Sequence, residues 1–115
     1  MNKIKFSHNW NNKLNNSIFT TIRLSAPDKL KYYKNLIGKG FDVLLKTKKY
    51  CYAELQEVEE FLFNKIPDGL IMMDIGMNMA DAQQLFSDFG IDGGNRVMIL
   101  TFERINKIKD LEEKK

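Results

Sequence analysis

Residues 96–103, Arg-Val-Met-Ile-Leu-Thr-Phe-Glu, constrain the possible folds of this chain more than any other stretch. Side chains on a strand alternate between two faces. Here Val97 and Ile99 make one face apolar, and Met98 and Leu100 the other. Such a strand belongs in the middle of a sheet, so the remaining chain has to supply its neighbours. Phe41-Asp42-Val43-Leu44-Leu45 reads as a buried strand, and Thr47-Lys48-Lys49 as a turn. From Tyr50 to Val58 the pattern alternates, with Cys51, Ala53 and Leu55 opposite Tyr50, Tyr52 and Glu54, which predicts an antiparallel hairpin. Phe61-Leu62-Phe63 continues it past a bulge. Glu57, Glu59 and Glu60 read as a solvated edge that resists edge-to-edge pairing.

The other elements follow from period and punctuation. Ile4 and Phe6 alternate with Lys3 and Lys5, predicting a strand over 3–6. Ser7 is then expected to cap a short helix that carries Trp10 and Leu14 on one stripe and ends at Asn15 or Asn16. Pro27 and Asp28 open a second helix, with Leu30, Tyr33, Leu36 and Ile37 at helical spacing and Gly38 closing it. Pro67 starts a Met-rich helical piece over 68–75. Asn78, with Asp81 three residues on, caps a helix running to Phe89 that Gly90 closes. Ile91 to Asn95 forms a turn, without the spacing of a phosphate-binding loop. The sum is an α+β chain: antiparallel strands with interspersed short helices, suited to a closed or nearly closed small β-barrel. One domain over 1–105 is expected, followed by a charged C-terminal tail, 106–115.

Composition excludes several classes of function. No apolar run reaches the roughly 20 residues a membrane helix needs, and the N-terminus lacks the apolar core of a signal peptide. One cysteine, Cys51, forbids an internal disulfide, and a reducing cytoplasm is the simplest compartment. A single histidine, His8, beside a single cysteine argues against zinc, so no metal and no cofactor are expected. His8 reads as a solvated residue at a helix start. Residues 1–50 hold 11 Lys/Arg against 2 Asp/Glu, a balance of +9, whereas residues 51–115 hold 7 against 13, a balance of −6. That polarity suits a surface for a polyanion, unless the halves interleave and the field cancels.

The candidate site centres on Asn16-Ser17-Ile18-Phe19-Thr20-Thr21-Ile22-Arg23. Most of it reads as a half-buried strand. Phe19, Thr21 and Arg23 share one face, which sets a hydroxyl and a guanidinium side by side at a strand end. Such a pair can grip an anion or a base edge.

Together these segments resemble the ASCH domains of the PUA-like superfamily. The resemblance covers nearly the whole chain: the opening strand and Trp10/Leu14 helix, the strand ending in Arg23, the Gly40-Phe41-Asp42-Val43 segment entering a hairpin, and the amphipathic helix before the last strand. It implies a small PUA-like β-barrel. The family signature is Gly-x-Lys-x-x-Glu-x-Arg. Asn16 falls at the Gly place, Ile18 at the Lys place, Thr21 at the Glu place and Arg23 at the Arg place. Thr at the Glu place is a variant found in members that look like small amidohydrolases acting on 4-acetylcytidine. In those, a Thr nucleophile is activated by the motif Lys, with a carboxylate from the later helical segment. Thr21 fits the nucleophile and Asp74 the carboxylate. Ile18 cannot move a proton, and Lys13 lies about one helical turn earlier.

Three functions follow as expectations. The foremost is binding of RNA, a nucleotide or a modified base, without hydrolysis. Trp10, Lys13, Asn16, Ser17, Thr21 and Arg23 would form the binding surface, with Trp10 stacking a base and Arg23 clamping a phosphate or base edge. The second is amide hydrolysis by Thr21 with Asp74. The third is a non-enzymatic interaction protein that docks through residues 70–89.

Overall fold

The computed structural model describes residues 2–7 and 9–105, with the backbone alone for residues 10 and 11. Five strands form one curled mixed sheet, a half-barrel in the order β1-β3-β4-β5-β2. They are β1 (Asn2–Phe6), β2 (Ile18–Leu24), β3 (Gly40–Leu45), β4 (Lys48–Leu62) and β5 (Arg96–Ile105). Three helices accompany them, α1 (Pro27–Lys34), α2 (Asp68–Ile75) and α3 (Met79–Asp88), with 3-10 turns at Trp10–Asn15 and Phe63–Lys65.

β5 lies between β4 and β2 and is antiparallel to both. Its alternation feeds two cores. Met98, Leu100 and Phe102 enter the concave one, with Phe6, Phe19, Phe41 and Leu14. There Phe19 stacks on Phe102 at 5.5 Å, and Phe41 meets Phe102 edge-on at 5.3 Å. Val97 and Ile99 enter the other, with Ile22 and the buried faces of α2 and α3. The expected central strand is therefore present, and two layers of cover explain why neither face is polar.

The β3–β4 hairpin forms, turning at Lys46 and Thr47 rather than over Thr47-Lys48-Lys49, with a register shift at Val43/Leu44, and β4 shifts register against β5 at Leu55/Glu57. β4 outruns β3, whose pairing stops at Glu54. Glu57, Glu59 and Glu60 therefore lie where β4 has a neighbour on one side only, and they protect that edge. Gly40 lets the Tyr52 ring lie over the backbone, because a Cβ there would lie 1.8 Å from the Tyr52 hydroxyl oxygen and the ring would have to swing aside.

Other expectations change. The sheet is a half-barrel rather than a closed or nearly closed barrel, and β1 joins β3 in parallel instead of antiparallel. The N-cap of the first helical turn is Asn9, not Ser7, and the turn is 3-10 rather than α. Its three asparagines, Asn11, Asn12 and Asn15, explain this, since Asn favours local turns over helix interiors; Asn12 adopts φ +53°. Finally, α1 stops at Lys34, and a run of turns carries the chain to Gly38, at φ +86°. His8, the Trp10 side chain and the 106–115 tail lie outside the described residues.

The expected cap of α3 is observed, with the Asn78 side chain accepting the Asp81 amide at 2.9 Å. Asn78→Ala is expected to lower stability by about 1 kcal/mol, read as the shift in a urea unfolding midpoint with an unchanged slope.

Candidate functional site: a cavity between the two edge strands

β1 and β2 are the two edges of the sheet, and a cavity of about 300 Å³ opens between them, with α3 as its outer wall. Its lining mixes apolar side chains, Phe6, Ile22, Leu24, Ile75, Leu85, Phe86, Phe89 and Ile91, with the polar residues Lys5, Ser7, Lys13, Thr21, Arg23 and Asp74. Three basic residues against one acid give the lining a positive balance.

Arg23 organises the mouth. Its Nε donates to Thr21 Oγ1 at 3.0 Å, as two residues on one strand face can. One terminal nitrogen donates to the Lys5 carbonyl at 2.7 Å, tying edge β2 to edge β1. The guanidinium lies 5.0 Å from the centre of the Phe6 ring, and Lys13 Nζ lies 5.4 Å from it. Each cation–π contact contributes on the order of 0.5–2 kcal/mol. Burial pulls the Arg23 pKa below its usual value, while Tyr33 and Asp74 oppose that shift. A guanidinium stays protonated regardless.

Behind it lies an ion pair. Lys13 Nζ donates to Asp74 Oδ1 at 2.9 Å, with both side chains about 3% exposed or less. Thr20, on the opposite face of β2 from Thr21, donates its hydroxyl to the same oxygen at 2.7 Å. Burial pushes the Lys13 ammonium below its usual 10.5, and Arg23 adds to that; Asp74 pulls the other way by charge and hydrogen bond. Desolvation is the largest of these effects.

Local structure explains how Lys13 reaches the cavity. Both polar groups of the Leu14 peptide are held: its N–H donates to the Asn9 side chain at 2.9 Å, and its C=O accepts from Arg104 at 3.2 Å. The Leu14 side chain is fully buried and anchors the turn. The Tyr50 hydroxyl bonds the Asn15 side chain. Asp74 sits on α2 beside Ile71 and Ile75, so the helix face that buries those two also buries the carboxylate.

Of the residues expected to form the site, Lys13, Thr21, Arg23 and Asp74 converge on this cavity. Asn16 and Ser17 are exposed at the start of β2 and do not line it. Thr20, Phe6 and the Leu85-Phe86-Phe89 wall are additions. The β alternation of Ile4 and Phe6 and the apolar stripe of α3 were visible in the sequence, but not that both faced one space. In segment 70–89, Ile71, Asp74, Ile75, Ala82 and Phe86 are buried, whereas Met72, Met73, Phe89 and most of the polar residues are exposed.

Among the described residues no cluster of His, Cys, Asp and Glu could hold a metal ion, and no helix is long and apolar enough to cross a membrane. Compared with protein-family models, curated proteins and solved structures, the chain matches none.

Proposed function

We propose that this cavity binds a nucleobase-bearing small molecule, a nucleotide or a modified nucleoside. The observation that carries this reading is the mixed lining, which sets apolar and aromatic side chains beside basic and hydroxyl groups. A planar ring can lie against Phe86, Phe89 and Leu85, while its polar edge or phosphate meets Arg23, Lys5 and the Thr21 hydroxyl. The volume, about 300 Å³, is at the lower end for ligand pockets and suits one base with its sugar. An ASCH-like ancestry agrees with this reading, and Arg23 is the motif residue that supports it.

Isothermal titration with nucleoside monophosphates and with 4-acetylcytidine tests it. Saturable binding is expected. Arg23→Gln should weaken it by about 1.5–3 kcal/mol, roughly 10- to 150-fold in Kd, the usual worth of a charge-assisted hydrogen bond. A thermal melt of the variant checks that it is folded. No saturable signal with any of these ligands at about 1 mM, a binding energy near 4 kcal/mol, would defeat the reading.

A second reading, hydrolysis of an N-acylated base, is favoured by the position of Lys13. The motif position for the lysine holds Ile18, which is exposed, but an ammonium arrives in the same cavity from the preceding 3-10 turn. In its neutral form Lys13 would accept the Thr21 hydroxyl proton as Oγ1 attacks the acyl carbon. That proton would pass to the departing exocyclic amine, and water would then release the acyl group from Thr21. Arg23, donating to Oγ1, favours the developing alkoxide. Asp74 orients Lys13.

A further inference from the structure

We infer that the gap between β1 and β2 takes one extended peptide of a partner protein, alternating apolar and acidic residues, which adds as a strand to the free edge of β2. This goes beyond the base-binding reading and shares only the cavity with it. Residues 21–24 of β2 all line that cavity, as do residues 5–7 at the end of β1. Successive strand side chains face opposite ways, so a space that meets four in a row runs along the edge of the strand. The hydrogen bonds agree. Ser25 N–H donates to the Arg96 carbonyl at 3.0 Å and Arg104 N–H to the Ser17 carbonyl at 2.6 Å, so the odd-numbered residues of β2 bond β5. Ile22 and Leu24 therefore turn their N–H and C=O groups away from β5, along the edge that meets the cavity. On β1 the Phe6 carbonyl accepts from Lys46 N–H in the β3–β4 turn, which leaves Lys5 facing the gap. The Lys5 carbonyl is met by the Arg23 side chain, and among the described residues no strand pairs with either edge.

An apolar edge strand is a template for strand addition unless lysine, proline or a bulge blunts it. β1 carries Lys3 and Lys5, whereas β2 has neither lysine nor proline, and its Leu24 is 45% exposed. Charge selects the occupant. Lys5, Lys13 and Arg23 stand against Asp74 alone in the lining, and Asp74 is already held by Lys13. An added strand continues the alternation of β2, so side chains beside Ile22 and Leu24 are apolar and those beside Arg23 acidic. One such carboxylate can take the terminal nitrogen of Arg23, which frees the Lys5 carbonyl for an amide of the peptide. A second copy of this chain, offering its own β2, would instead bring Arg23 against Arg23, an unfavourable like-charge pair. Residues 21–24 span roughly 13 Å, the reach of about four peptide residues.

Fluorescence anisotropy with a labelled, end-capped peptide, Ser-Val-Glu-Val-Glu-Val-Ser, tests this. Saturable binding with a Kd below about 100 μM is expected, weaker by about 10-fold or more when lysine replaces both glutamates. N-methylation of the three valine amides should abolish binding with the charge unchanged. Those are the amides that an antiparallel strand, its valines opposite Ile22 and Leu24, turns toward β2. Leu24→Pro removes an edge N–H that β5 does not use and should weaken the peptide by about 10-fold, with a thermal melt to check the fold. Equal affinity for the N-methylated or the lysine peptide overturns the inference, whatever the variant does. So does the lack of saturable binding at about 1 mM peptide. A dimer in sedimentation that Leu24→Pro dissolves and the peptide does not would assign the edge to a second copy and overturn it too. Peptide binding without nucleotide binding defeats the base reading alone, and nucleotide binding without peptide binding defeats this inference alone.

Discussion

Asp74→Ala is expected to destabilise the protein by about 3–5 kcal/mol, the typical cost of leaving one member of a buried ion pair without its partner. The Lys13 ammonium and the Thr20 hydroxyl both donate to Asp74 Oδ1, so the substitution strands two donors. Lys13 can limit the damage by releasing its proton, and this fixes the pH dependence. Its folded pKa already lies below the usual 10.5. Between the folded value and 10.5 the unfolded chain holds more protons, so stability rises with pH across that window. Below the folded value the penalty is present in full. Without Asp74 the folded pKa drops further, and the window widens downward. The gap between wild type and variant in urea unfolding should therefore be larger near about pH 7 than near about pH 9.5. The double variant Lys13→Met/Asp74→Leu should recover most of the loss, because apolar replacement of a buried pair is often neutral or favourable. A loss below about 1 kcal/mol, constant with pH, would mean that the pair is solvated like a surface bridge.

The same pair shows where reading from the sequence stops. Period and punctuation carried the elements well: the alternation of Ile4 and Phe6, the two-faced apolar run of β5, the Asn78 cap and the β3–β4 hairpin all depend on contacts within a few residues. The parallel union of β1 with β3 joins segments nearly forty residues apart, and nothing local records it. Half of the cavity was legible for a related reason. Thr21 and Arg23 are neighbours on one strand face, so period 2 places them together. Lys13 and Asp74 are separated by 61 positions and meet only because Leu14 locks one turn while Ile71 and Ile75 seat one helix. The resemblance to ASCH domains sets Ile18 where that family has a lysine, and this argued against hydrolysis as long as position along the chain stood for position in space. With Lys13 in the cavity, that argument loses its force.

On the hydrolytic reading, Lys13→Met is expected to lower hydrolysis of an N-acylated cytosine nucleoside by about 10²–10⁴, the range for a lost general base. Release of free cytidine, followed by chromatography, is the measurement. Because Lys13→Met leaves the Asp74 carboxylate buried without its cation, Thr21→Val is the companion: it keeps the shape of the side chain and the Lys13–Asp74 pair while removing the hydroxyl that attacks. It too should abolish turnover, yet binding measured by titration should persist within about 10-fold, since it forfeits a single hydrogen bond to the ligand. If activity is absent from the wild type while nucleotides bind, the cavity is a recognition site and Lys13 serves its charge balance alone. If Thr21→Val turns over substrate at the wild-type rate, the hydroxyl is not the nucleophile. The attack would then fall to water held between Lys13 and Arg23, the two cations over the Phe6 ring. Turnover by wild type and its loss in both variants would assign the chemistry to Thr21 and Lys13, with Arg23 and Asp74 setting their surroundings.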